Sequence, residues 1–268
     1  MMTSPWSAAL LAVFSWWFFT GMILLVVRRA DRRGATAHSA SVVLAVPLLA
    51  LGVAGLVVSG STLSVANVYI AFFSVLLVWG WIELAFLSGI IMGPERRPCP
   101  PGLTGWPRFM RAWHTLSHHE MLLLFGLLIV TMTTAHAPNT LGFWTYLVLF
   151  VARISAKLNL FFGVPRINTE FVPKPLDHLK SYFRQGNVTP AFVLGVTFLS
   201  FATACFAERL FTAEEVAMQV GFALLLALSA LATLEHWLMV IPLPDAKLWR
   251  WMLPALPSTS KTGQSHEL

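Results

Sequence analysis

Charge is scarce in this sequence. Only 11% of its 268 residues are Asp, Glu, Lys or Arg, while 57% are hydrophobic. Ordinary soluble domains carry about a quarter charged residues, so a solvated globular surface is excluded. A chain whose outer surface meets lipid is what remains. Cysteine is nearly absent: there are two, Cys99 and Cys205, and neither belongs to a CxxC pair. Dithiol redox chemistry and cysteine-based zinc sites are thereby set aside. There is no glycine-rich phosphate loop and no nucleophile–base arrangement, which argues against nucleotide-dependent and hydrolytic enzymes. No internal repeat is visible, which counts against a transporter built from inverted halves. The net charge of +6 is spread over loops instead of gathered in a folded patch, so a nucleic-acid partner is not expected.

What is present is apolar sequence in seven runs. A span needs about 20 apolar residues, and runs near 6–27, 40–58, 66–92, 119–134, 141–162, 190–207 and 216–241 meet or approach that length. The expected fold is therefore all-α, a polytopic integral membrane protein of seven transmembrane helices spanning 1–253, with a disordered tail at 254–268. The first run is read as an uncleaved helix, because Arg28, Arg29, Arg32 and Arg33 follow it and no Lys or Arg precedes it, the reverse of a signal peptide. Gly52 and Gly55 in the second run suit close helix packing. Gly93-Pro94 is expected to end the third. Five prolines (Pro94, Pro98, Pro100, Pro101, Pro107) interrupt the connection after it, although Arg108–Glu120 is free to be helical. Asp177–Phe183 is expected to form a short interfacial helix with Leu179, Tyr182 and Phe183 turned to lipid or protein.

Orientation follows from the basic residues. With the N-terminus outside, fifteen of the eighteen Lys and Arg fall on the inner side, including Lys247, Arg250 and Lys261. Arg209 alone falls outside. Positive loops stay cytoplasmic, so a periplasmic N-terminus and a cytoplasmic C-terminus are expected, and Cys99 and Cys205 lie on opposite sides. The inner face also suits anionic lipid headgroups.

The remaining two cations, Arg153 and Lys157, lie within the fifth run, four residues apart and so on one helix face. Asn159 follows them. A charge near the bilayer centre costs roughly 2.5–3.5 kcal/mol on insertion scales, so partners are expected. At about 1.5 Å per residue, Glu83, Glu120 and Glu235 fall at matching depths, all in the cytoplasmic half, with His118, His119 and His236 nearby. Two readings stand side by side. Glu83–Arg153 and either Glu120–Lys157 or Glu235–Lys157 are ion pairs that set helix register, or the group is a polar functional site.

The histidines sharpen the second reading. His114 and His118 are four apart, the spacing of metal-ligating imidazoles, and His118, His119 and Glu120 are consecutive. His118, Glu120 and His236 are the candidate metal ligands, with Glu83 and Glu235 as further carboxylates. The Glu-x-x-His signature of carboxylate-bridged bundles is missing. Single-histidine ligation of a tetrapyrrole metal is the other option. Interface hydrogen bonding is the plainer reading of His114. Trp79, Trp81 and Trp237 flank Glu83 and Glu235, as lipid-interface anchors or as walls for a flat ligand. A retinal Schiff base is excluded, because the seventh run has no lysine.

RAWHTLSHHE at 111–120 and ARISAKLNLFFGVPRINTEFVPKPLDHLKSYF at 152–183 resemble the photosynthetic complex assembly protein 2 family of purple phototrophic bacteria. The resemblance covers the middle third, and chain length and span number agree over the whole. It implies association with reaction-centre H-subunit genes and a role in assembling the reaction centre and core antenna complex. It also implies an inner (cytoplasmic or intracytoplasmic) membrane location. Bacteriochlorophyll or another tetrapyrrole is the implied ligand, transiently bound. Reaction-centre or antenna subunits, pigment-synthesis enzymes and membrane lipid are the implied partners. It assigns no catalytic residue. The competing expectation is an integral membrane metalloenzyme acting on a tetrapyrrole or isoprenoid.

Overall fold

The computed structural model of the chain describes residues 3–242. The tail expected at 254–268, with Lys247, Arg250 and Lys261, lies outside them. The described residues form eight α-helices in seven long rods and no strand, only an isolated bridge between Val164 and Gln185. All seven rods are long and apolar enough to cross a membrane.

The first rod is α1, Pro5–Arg33. The second is α2, Ala35–Leu44, followed at once by α3, Val46–Ser59. The break at Ala45 follows from Pro47, which has no N–H to donate and whose ring crowds the carbonyl four residues back. The third rod is α4, Val65–Leu87, and it ends five residues before the expected Met92. Its terminator is Gly89, not Gly93-Pro94. Gly89 adopts φ +73°, and a Cβ there would stand 2.6 Å from Pro175 Cβ, so only glycine fits.

The fourth rod is α5, Gly105–Thr134, a continuous helix of about 45 Å. Pro107 sits in its first turn, where a missing N–H costs nothing. The rod outruns the roughly 30 Å hydrocarbon layer, so its first turns extend beyond the apolar zone. Next come α6, Leu141–Phe162, α7, Pro190–Thr212, and α8, Val216–Leu238.

The most apolar stretches of α4 and α8 are 61% and 50% buried, while those of the other five rods are 17–28% buried. The first two therefore form the axis, and the others turn apolar faces outward. Near the connections at 60–64, 135–140 and 213–215, the two axial helices share one core. Val68, Ala71, Phe72 and Leu76 pack with Ala217, Val220, Leu224 and Leu228. Past Leu76 and Leu228 they no longer share a packed cluster. The space that opens between them there is a cavity.

Residues 163–189 run across the open end as a strap. Its helical turn is Lys174–Tyr182, a 3-10 helix beginning three residues before the expected Asp177. Leu176, Leu179 and Tyr182 are buried. Their spacing of three matches the three residues per turn of a 3-10 helix and puts them on one face, where Leu176 and Leu179 pack against Phe86 and Met92. Phe183 lines the cavity. The strap is pinned from several sides. Asp31 accepts from the Lys174 backbone N–H at 3.2 Å, and Lys174 Nζ donates to the Asp31 carbonyl at 3.1 Å. Arg28 donates to the Glu170 carbonyl. Arg108 donates to the Tyr182 carbonyl at 2.7 Å, and the Tyr182 hydroxyl to the Arg97 carbonyl at 3.1 Å. Burial raises the Tyr182 phenol above its ordinary pKa, so it stays the neutral donor of that bond.

The second and third rods touch most closely at small residues. A Cβ on Gly52 would lie 2.8 Å from the Ser74 carbonyl oxygen, and one on Gly55 would collide with the Ser74 hydroxyl. Gly52→Ala is expected to push α3 from α4 and destabilise the bundle by about 1–3 kcal/mol. Gly80→Ala, whose Cβ would meet the flexible Ile23 Cδ1 at 3.6 Å, should be nearly neutral. Thermal unfolding of both variants in mild detergent checks the contrast.

Candidate functional site

The two cations of α6 are met from two other helices. Arg153 Nη2 donates to Glu83 Oε2 of α4 at 2.6 Å. Lys157 Nζ bonds Glu120 Oε1 of α5. His119, also on α5, stands between the pairs and is fully buried. Its Nδ1 is 2.8 Å from Lys157 Nζ. An ammonium only donates, so Nδ1 accepts and the proton of neutral His119 sits on Nε2. Nε2 faces Glu83 Oε1 at 3.6 Å, beyond direct hydrogen-bond length. The Phe86 ring lies 4.1 Å from the imidazole, centroid to centroid, and Lys157 Nζ lies 5.2 Å from the Phe86 centroid. Arg153, Glu83, His119, Lys157 and Glu120 thus form one alternating chain joining α4, α5 and α6.

His118 is not part of it. His118 and His114 are exposed, whereas His119 and Glu120 are buried. Helix geometry explains this. Successive residues turn by about 100°, so His118 lies on the opposite side of α5 from Glu120. The i,i+4 histidine spacing is real, but that face looks outward. His236 is buried elsewhere: its Nδ1 donates to the Ala232 carbonyl at 2.8 Å, and its Nε2 accepts from Ser155 Oγ at 2.9 Å. The three candidate metal ligands His118, Glu120 and His236 therefore do not converge. Among the described residues no group of three or more His, Cys, Asp or Glu is placed to hold a metal ion. Asn159 lies one turn from Ser155, is fully buried, and has no partner for either side-chain amide atom. It does not line the cavity.

Glu235 is separate again. It faces the cavity of about 580 Å³ between α1, α4, α6 and α8, closed over by the strap. Its side chain is exposed and forms part of the cavity wall. The Trp16 side chain stands beside Glu235, and Arg153, whose charge acts on it, is bonded to Glu83 instead. Glu83, Arg153, Lys157 and Arg166 also reach the cavity, while the remaining wall is largely apolar and aromatic. Of the three expected tryptophans only Trp79 lines it. The Trp81 indole donates to the Val42 carbonyl at 3.1 Å, and Trp237 packs edge-on against Phe192.

Several residues had no legible signal. Trp16 reads as an interface anchor, and Ser155 as one small residue among many. Asp31 reads as a solvated acid among arginines, but it is buried and also pairs with His38 at 3.2 Å. The strap's role as a cover shows in sequence only as a long proline-bearing connection.

Lys157→Met leaves Glu120 buried without its cation and should cost about 3–5 kcal/mol. Adding Glu120→Gln should recover part of that loss, with a coupling of about 1–3 kcal/mol. A double-mutant cycle of unfolding in detergent measures it; strict additivity would mean that the pair is not coupled.

No solved structure matches this chain. A protein of Rhodobacter capsulatus described as an uncharacterized 30.4 kDa protein in the puhA 5' region is 49% identical over 261 residues, covering 97% of this chain and 95% of that one. The model of the family described as protein of unknown function (DUF3623) matches residues 2–260. With the family model matched over nearly its whole length, the chain belongs to the DUF3623 family.

Proposed function

We propose that this protein is a non-enzymatic assembly factor of the photosynthetic membrane. In this reading it serves the reaction centre and core antenna complex and holds bacteriochlorophyll or a precursor in its cavity. The observation that carries the reading is the near full-length relative encoded in the puhA 5' region, within a photosynthesis gene cluster. A membrane cavity of about 580 Å³ with aromatic walls and few polar groups supports a flat apolar ligand, since such sites usually measure about 300–1,000 Å³. The strap and the arginine-bearing connections lie at one end of the bundle. By the positive-inside rule that end is cytoplasmic, and the N-terminus is periplasmic. The membrane is then the bacterial inner or intracytoplasmic membrane, and reaction-centre or antenna subunits, or the enzymes that make pigment, are the partners to seek.

Two measurements test this. A strain lacking the gene should accumulate markedly less assembled reaction centre and core antenna while still making pigment. Protein purified from phototrophic cells in mild detergent should carry pigment absorption bands. Wild-type amounts of assembled complex in the deletion strain would refute the assembly role.

A further inference from the structure

Two acids line the cavity, Glu83 and Glu235, and only the first is held in an ion pair among the described residues. Glu83 is bonded to Arg153, and Glu120 to Lys157. His236 has both ring nitrogens engaged, by Ala232 and Ser155. Glu235 stands beside the Trp16 side chain, has no ion pair among the described residues, and lines the cavity. The Arg153 charge acts on this acid but is bonded to Glu83, so the Glu235 carboxylate is available as a donor to a positive centre carried by a ligand.

The kind of centre is restricted by what surrounds Glu235. Among the described residues no three metal-binding side chains converge, so a bare metal ion has too few ligands. A metal already held in a planar macrocycle is different, because it needs a single axial donor from the protein. The rest of the site suits such a ring. Trp16, Phe19, Trp79, Phe86 and Phe161 line the same cavity and offer large apolar surfaces. We propose that Glu235 is the axial ligand to the central metal of a tetrapyrrole bound in this cavity. This rests on the pigment reading above but names a different donor from the histidines that the sequence suggests.

The test uses the purified full-length protein in mild detergent, titrated with a zinc porphyrin ester and with the same porphyrin lacking metal. Absorption is followed, so no activity is required. Wild-type protein should bind the zinc form at least about tenfold more tightly than the metal-free form, with a red-shifted band, given the strength of interactions to charged groups. Glu235→Gln, close to isosteric, should lose both the preference and the shift. Glu235→His, which brings a new axial donor, should restore the preference with a different band position. Unfolding midpoints of the variants show that the bundle is intact. If wild type binds neither porphyrin, the pigment reading falls and this assignment with it. If wild type binds both forms equally, or Glu235→Gln keeps the zinc preference, the pigment reading stands and the Glu235 assignment is overturned.

Discussion

A cation carried into the apolar zone of a helix bundle must be met by an anion at the same depth. That requirement organises this protein. Arg153 and Lys157 sit on one face of α6, and the acids that answer them come from α4 and α5. Because buried partners must stay paired, the three helices are held in one register. His119 fills the gap between the pairs with a polar ring that contacts both. Separating the three helices would expose several uncompensated charges to hydrocarbon at once.

The same constraint shapes the cavity. Apolar side chains join α4 and α8 from Val68 to Leu76 and from Ala217 to Leu228. Beyond that zone α4 turns Glu83 toward α6, while α8 carries Glu235 on its inward face. Groups of this kind do not close into a dry aliphatic core, so the axial helices part company where the charges begin. The strap covers the gap through hydrogen bonds that α1, α5 and the end of α8 supply, including the Arg166 bond to the Ile241 carbonyl at 2.5 Å. Asp31 is central to that cover. It links the end of α1 to Lys174 of the strap and to His38 of α2.

Much of the fold was legible in one dimension, because lipid imposes a simple rule: spanning segments must be apolar and of sufficient length. The seven runs follow from that rule, and their ends were less clear. The third rod stops at Gly89 and not at Gly93, since what ends it is the close approach of Pro175, a contact between residues far apart in sequence. The fourth begins at Gly105, well before its apolar run, because a helix needs no hydrophobicity where it extends past the lipid. The metal expectation around His118 failed against helical geometry that sequence spacing already contains: positions 118 and 120 cannot share a face.

Sequence alone determined the number of apolar rods, the burden of two cations in the fifth, and the acids at matching depth. Each follows from the cost of moving polar groups out of water, which depends on residue type and position along a helix. Only the tertiary structure decided which acid answers which cation, and that Glu235 is left over beside Trp16 in a cavity. Helix rotation and tilt set those outcomes. They are fixed by packing between helices distant in the chain, such as α4 against α8 and the strap against α1, to which no local pattern of residues refers.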